Sequence, residues 1–289
     1  MSRTARTRAA KRSSTLPRGT SPAATTATDA PAHDPLFNDS AQKALAVLEA
    51  FGQGRRVLKL AEAADLASIT KASAQRCIHT LEVLGYLRRD RRGTGWMLTP
   101  RALGIAHAYL SGYRLVEQAQ QHLVDLNRAT GESVSLSEPD GTDMVFVARF
   151  PSHKRFLIHM PIGRRLPMYC TASGRAYLSA LPRAEAQQLL QQSSLRALTP
   201  MTVTDPRRIQ ELIAAAHVDG YSYSDQECYR GDVTVAAPVI GEGGHPIGSV
   251  NISAPISRWT LEEMRAKLAA LVMETARAIS SGAVPQGHG

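Results

Sequence analysis

The side chains best suited to chemistry fall into two cationic and polar groups. Lys71, Ser73, Gln75, Arg76 and His79 recur at helical steps, and Arg88, Arg89, Arg91 and Arg92 fill four of five consecutive positions. Arginine bonds guanine bidentately and glutamine bonds adenine, while serine, threonine and the amides of a helix start suit phosphate oxygens. Gln75 and Arg76 are therefore the leading base readers, with Thr70, Lys71, Ser73 and His79 beside them. The arginine cluster would supply salt-sensitive attraction to any duplex. The chemistry these residues suggest is recognition of double-stranded DNA.

Catalysis has weaker support. Cys170, Ser173 and several histidines are a possible nucleophile and base, yet there is no GxSxG, HExxH or glycine-rich phosphate loop. His153 and His159 lie six apart on a strand-like segment, which places them on one sheet face. Cys77, Cys170 and Cys228 are distant, odd in number and without CxxC spacing, so they read as buried free thiols. The expectation is a non-enzyme with no cofactor, no catalytic residues and no metal ligands.

The elements that must position the first group are legible from periodicity. A helix capped by Ser40 turns Ala44, Leu45, Val47, Leu48 and Phe51 inward, and Gly52 and Gly54 close it. A second spans residues 60–67. After Ser68-Ile69, Thr70 caps a third, residues 71–84, with Ala74, Cys77, Ile78, Leu81 and Leu84 inward. Two helices joined by a three-residue turn, the second polar outside, form a helix-turn-helix. Gly85 ends the third helix, and residues 86–89 and 96–99 pair across an Arg-rich turn as a β-hairpin wing.

Charge agrees with this placement. Residues 1–35 hold 6 basic and 2 acidic side chains and residues 36–112 hold 11 and 6, whereas residues 113–289 hold 17 of each. All net positive charge is thus N-terminal, as expected of a chain that meets a polyanion there. No apolar run approaches the roughly 20 residues of a membrane-spanning helix, and no signal-peptide core follows the basic start, so a cytoplasmic protein with no membrane partner is expected. Residues 1–35 are too poor in apolar side chains to order themselves. Their six cations form either a DNA-brushing arm or a solvated tail.

The stretches SAQKALAVLEAF and LAEAADLASITKASAQRCIHTLEVLGYLRRD resemble the DNA-binding domain of the IclR family of bacterial transcription regulators. The resemblance continues through TGESVSLSEPDGTDMVFVARF, GRRLPMYCTASGRAYLSAL, DGYSYSDQECYRGDVTVAAPV and GSVNISAP, over about residues 38–280, and looks closest to the regulators of aromatic-acid catabolism. Ser68 departs from the pattern, standing where many members carry a turn glycine. The resemblance implies a DNA operator, a small-molecule effector, a homo-oligomer (dimer or dimer of dimers) and a GAF-like effector domain.

Pro100 opens a linker helix through about Ser111, with Leu103, Ala106, His107 and Leu110 on a stripe that pairs with a second copy or packs within its own chain, His107 being read as a packing residue. Beyond it, helices are expected at residues 115–129, 171–181, 184–191 and 206–218, and from Thr260, where Glu263 completes a capping box and Leu261, Met264, Leu268, Leu271 and Ile279 point inward. Strands are expected at Val134 and Leu136 and at residues 144–148, 156–160, 233–239 and 247–252. The fold class is α+β: a winged helix-turn-helix (36–99) after a basic tail (1–35), a linker helix (100–112), an effector domain with a largely antiparallel sheet (113–282) and a flexible end (283–289).

An effector carboxylate would best sit where Leu166 leads into the helix at Thr171, because helix starts offer unpaired amides and a positive dipole end to Thr171, Ala172 and Ser173. The family resemblance adds Ile158 and Leu166 as apolar wall, Ser224 or Asp225, Glu227 and Thr234 after a turn at Tyr223, and Asn251 and Ser253 on the late strand. Capping by Thr171 and Ser173, and backbone satisfaction by Asn251, are the structural alternatives. Arg149, Arg164 and Arg165 could complement an acid, the last two being equally well placed on the surface. A DNA binder that needs no ligand is the remaining functional alternative.

Overall fold

The computed structural model describes residues 35–52, 56–112, 114–154 and 160–282; the basic tail up to residue 34, the predicted strand residues 156–159 and the C-terminal end from residue 283 lie outside them. Helix α1 (Asp39–Ala50) begins one residue ahead of the cap read from the sequence. Asn38, not Ser40, is its cap, accepting from the Ser40 and Ala41 amides at 3.0 and 3.1 Å. Helices α2 (Leu60–Leu66) and α3 (Lys71–Val83) follow, and Thr70 caps α3 as expected. Val47, Ala50, Phe51, Leu58, Ala63, Ile78, Leu81 and Leu87 form their shared core. Leu45 and Leu84 are 57% and 50% exposed, which corrects their inward assignment. Leu84 falls on the C-cap, where the helix gives way to the wing.

The turn between α2 and α3 settles the question that Ser68 raised. Its φ of 54° is left-handed, and the Ser68 and Ile69 amides donate back to Asp65 and Ala64 at 3.2 and 3.0 Å. The hairpin strands β1 (Leu87–Arg89) and β2 (Trp96–Leu98) are antiparallel, with Leu58 adding a bridge to Trp96. That bridge requires a glycine beside it, since a Cβ on Gly95 would lie 2.6 Å from the Leu58 carbonyl oxygen. Trp96 Nε1 donates to Glu82 at 3.2 Å and Thr99 Oγ1 to the Gly85 carbonyl at 2.6 Å, clipping the wing to α3.

Pro100 opens a 3-10 turn, and the α-helix proper, α4, begins later than expected, at Leu103–Gly112. Its side chains are largely exposed, His107 included, so His107 does not pack within the chain. Tyr109 is tied by a hydrogen bond to Glu138 of β3 (Ser133–Asp140). Helix α5 (Arg114–Thr130) precedes β3, and β4 (Asp143–Phe150) pairs with it. Short strand β5 (Arg165–Pro167) was not foreseen, and Met160, the described end of the expected 156–160 strand, is not in a strand. Helices α6 (Ala172–Ala180), α7 (Arg183–Gln192) and α8 (Pro206–Asp219) come next. Then follow β6 (Ser222–Asp225), β7 (Asp232–Ile240), β8 (Pro246–Pro255) and α9 (Leu261–Gly282). Strand β6 was also missed: Tyr223 lies within it, and the turn comes after it.

The six strands form one antiparallel sheet in the order β5-β4-β3-β8-β7-β6. Strand alternation gives it two chemically different faces. Val134, Leu136, Val233, Val235, Val250 and Ile252 meet α5 and α9 in the main core. The off-beat residues are polar and register-matched, Ser133 against Ser253, Ser135 against Asn251 and Ser137 against Ser249. This second face meets α6, where Ala172 and Ala176 contact Ala236. The Thr260–Glu263 capping box starts α9 as predicted, and of its expected inward residues Met264, Leu268 and Ile279 are buried while Leu261 and Leu271 are half-buried.

A serine held left-handed costs on the order of 1 kcal/mol more than glycine. Ser68→Gly is therefore expected to stabilise the N-terminal domain by about 0.5 kcal/mol after the glycine's extra unfolded-state entropy, read as a higher urea midpoint. A midpoint that fell or stayed put would show that the turn is not strained.

Candidate nucleic-acid interface and effector cavity

Helix α3 presents Lys71, Gln75, Arg76 and His79 to solvent, with positions 71, 75 and 79 in one row of helical spacing. Thr70 Oγ1 accepts from the Ser73 amide at 3.2 Å and donates to the Ser73 hydroxyl at 3.0 Å, so both side chains help to start the helix, and the Ser73 O–H remains a donor. On the wing, Arg88, Arg91 and Arg92 are exposed. Asp90 shapes the turn by accepting from the Gly95 and Arg92 amides at 2.9 and 3.2 Å, and those bonds, that from Gly95 foremost, hold its carboxyl below the usual range. Among the described residues no carboxylate pairs with Lys71, Arg76, Arg88, Arg91 or Arg92. Arg89 differs from its neighbours: its guanidinium stacks 3.8 Å above Trp96 and comes within 3.9 Å of Glu82, so it also holds the wing in place.

The second face of the large sheet and the start of α6 enclose about 570 Å³ of space between atoms, part of it open to solvent. Leu166, Thr171, Ala172, Ser173, Ser224, Glu227, Thr234, Asn251 and Ser253 line it, as does Arg149. Ile158 lies outside the described residues. Asp225 is not on the wall, which resolves its pairing with Ser224; it accepts from Gln226 Nε2 at 3.2 Å. Arg165 is also turned away, bound to Asp140 and Asp143, while Arg164 reaches Tyr229 of the wall at 3.2 Å. Sequence reasoning missed Met144, Phe146, Met160, Cys228, Tyr229 and Asp232. The strand residues among these were findable as the off-beat positions of strands whose other face is core.

The start of α6 is built for close approach. Thr171 caps it, accepting from the Gly174 amide at 3.0 Å and donating to the Pro167 carbonyl at 2.8 Å. Geometry leaves the first amides of a helix without intrahelical acceptors, and Ala172 and Ser173 at this helix start line the cavity. Gly174 lets the helix rest on the preceding turn, since a Cβ there would stand 2.2 Å from Met168 Cα. One turn on, the fully buried Arg175 clamps Glu227 with two bonds of 2.6 Å and donates to the Tyr169 carbonyl at 2.9 Å. Glu227 therefore belongs to a structural ion pair as well as to the wall.

Charge at the cavity's other end is balanced differently. Burial pushes the Asp232 carboxyl up to about 6, against the pull of hydrogen bonds from Ser253 (2.6 Å) and Thr234 (3.1 Å) and of Arg149. Burial also lowers the Arg149 guanidinium, with Asp232 opposing, and its Nη1 donates to Ser135 at 3.1 Å. The Asn251 side-chain oxygen is buried with no hydrogen-bond partner. Cys170 and Cys228 place their sulfurs 3.3 Å apart. Among the described residues, no histidine lines the cavity beside Ser173 and no cluster of metal-ligating residues occurs. None of the described helices is long and apolar enough to cross a membrane.

Comparison with known proteins bears on both sites. Residues 40–91 match the IclR helix-turn-helix domain, and residues 107–281 match the C-terminal region of the bacterial transcriptional regulator IclR. The chain is 31% identical to the Pca regulon regulatory protein of Pseudomonas putida, over 84% of each chain. Among solved structures it resembles a transcriptional regulator from Rhodococcus sp. RHA1, at 35% identity and a TM-score of 0.72, covering 86% of this chain and 98% of that one. A more distant likeness, 22% identical with a TM-score of 0.68 and covering 84% of this chain and 98% of the other, is an IclR homolog from Microbacterium hydrocarbonoxydans complexed with 4-hydroxybenzoate. With the helix-turn-helix and the antiparallel sheet both in place, the chain belongs to the IclR family of bacterial transcriptional regulators and is similar to its Pca-type members; it is a DNA-binding regulator and not an enzyme.

Proposed function

We propose that residues 36–99 read an operator through α3 and the wing, that α4 within residues 100–112 pairs two copies, and that residues 113–282 bind a small carboxylic acid that changes operator affinity. The observation that carries the effector assignment is the cavity in which the start of α6 and Arg149 stand with the unpartnered Asn251 oxygen. The first two suit a carboxylate, and the third needs a hydrogen-bond donor. Met144, Phe146, Met160 and Leu166 add an apolar wall. An aromatic acid carrying a ring hydroxyl meets all of these demands, and 4-hydroxybenzoate, bound by the Microbacterium relative, is the natural first probe.

For the DNA site, Gln75→Ala and Arg76→Ala are each expected to cost about 1–3 kcal/mol of discrimination between a selected operator and random duplex. Arg91→Ala with Arg92→Ala should weaken binding to both alike and lower the slope of affinity against salt by about two. Fluorescence anisotropy across a salt series measures both effects. Preserved discrimination would remove α3 as the reader, and an unchanged slope would remove the wing.

For the effector, calorimetry of the full chain with 4-hydroxybenzoate should give binding that Arg149→Ala and Asn251→Ala each weaken about tenfold, a loss near 1.4 kcal/mol. An ionised Asp232 repels a ligand carboxylate and a protonated one does not. Affinity should therefore fall as pH rises between about 5 and 7, and Asp232→Asn should flatten the profile. If no hydroxylated aromatic acid binds while DNA binding is intact, the ligand-independent reading gains.

Leu103, Ile105 and Tyr109 of α4 are 68%, 60% and 50% exposed, an apolar surface that a second copy would cover, and a dimer would match a two-fold operator. Sedimentation equilibrium should find a dimer or tetramer that Ile105→Asp breaks down. A monomeric wild-type chain would refute the pairing.

A further inference from the structure

Two thiols meet behind the cavity wall. Cys170 ends the 3-10 turn ahead of α6, and Cys228 follows Glu227 in the loop between β6 and β7. Their sulfurs are 3.3 Å apart, Cys170 being fully buried while Cys228 is half-buried and lines the cavity. The backbone is secured around both. Ser224 donates to the Cys170 carbonyl at 3.1 Å, and Arg175 ties the Tyr169 carbonyl to the Glu227 carboxylate. Thr199 and Thr202 donate to the Gln226 and Glu227 carbonyls at 2.7 and 2.6 Å. Thiols held in this way react as an intramolecular pair. An S–S bond is about 2.05 Å long, so the sulfurs need to close by little more than about 1 Å. The hydrogen bond with Cys170, and burial, push the Cys228 thiol up, so the pair rests as a dithiol.

We propose that Cys170 and Cys228 are an oxidisable pair, closed to an intramolecular disulfide by a small neutral peroxide that enters through the cavity, and that this bond clamps the start of α6 to the β6–β7 loop. The Cys228 sulfur, which lines the cavity, attacks one oxygen of hydrogen peroxide as the O–O bond breaks, and its proton leaves with the departing oxygen as one water, giving a sulfenic acid. The Cys170 sulfur then attacks the sulfenic sulfur, forming the S–S bond and releasing a second water. In sum, two thiols and one peroxide become one disulfide and two waters. The clamp acts on the wall assigned above to the effector, so its consequence for ligand binding rests on that assignment; its chemistry does not.

The test uses the full-length protein treated with hydrogen peroxide and then alkylated. Expected are one alkylated cysteine per chain, Cys77, in place of three, and a peptide pair linked through Cys170 and Cys228 that dithiothreitol separates. Amide exchange across residues 171–175 and 226–231 should slow roughly tenfold in the oxidised chain. Cys228→Ser, or Cys170→Ala should that variant not fold, should abolish both changes, whereas Cys77→Ser should keep them. Sulfinic or sulfonic acid at Cys228 without a link, a link through Cys77, or a linked chain with unaltered exchange would each overturn the proposal. Neither readout involves a carboxylate ligand, so failure here is separable from failure of the effector reading.

Discussion

The sensor half of the molecule is organised around one buried ion pair. Arg175 is wholly out of water, and its guanidinium is spent on both Glu227 oxygens, the Tyr169 carbonyl and, at 3.4 Å, the Tyr223 carbonyl. Glu227 in turn accepts from the Val203 amide at 3.0 Å. Four chain segments thus converge on two side chains: the turn before α6, α6 itself, the end of β6 with its loop, and the connection from α7 to α8. Such a pair adds little net stability, because desolvation offsets the attraction, but removing either partner strands a charge at a cost of about 3–5 kcal/mol. What it supplies is geometry. The cavity lies against this anchor, with Thr171 to Ser173 on one side and Cys228 and Tyr229 on the other.

Around that anchor, the two faces of the sheet divide the work. One is aliphatic and packs on α5 and α9. The other carries serine, threonine, asparagine, Asp232 and Arg149, and it is covered by a helix that opens on three small residues, Ala172, Ser173 and Gly174. Small side chains let α6 approach closely but leave a gap where the strands' polar groups are not met. The cavity is that gap. Burial there is also what pushes the Asp232 carboxyl up to about 6, with only hydroxyls and one arginine to hold its charge.

The DNA-binding half relies on local devices in place of a buried charge. Asn38 and Thr70 cap helices, Ser68 accepts a left-handed turn, and Glu82, Trp96 and Arg89 fasten the wing to α3. These fix the angle between the outer face of α3 and the wing arginines, and therefore what the two can touch together. Tyr109 links the helix beyond the wing to Glu138 of the sheet, joining the halves by a hydrogen bond between side chains.

Much of this was legible in the residues alone. Helices α2, α3, α6, α7, α8 and α9, the hairpin wing and the core strands follow from periodicity, caps and turn residues, all of which act within a few positions of chain. The outer face of α3 was readable because a helix fixes its own faces. Most of the residues named in advance for the effector line the cavity, but apart from Thr171, Ala172, Ser173 and Arg149 they came from family resemblance. Short strands β5 and β6 escaped because three or four residues carry too little pattern, and they exist only through their neighbours' hydrogen bonds. Tertiary structure alone decided the rest. Arg175 found Glu227, Arg89 settled on Trp96, Asp232 lost its water, and Cys170 met Cys228 across 58 positions of sequence. Each depends on segments brought together by the sheet, and a sequence records which side chains are present without recording which of them will be desolvated side by side.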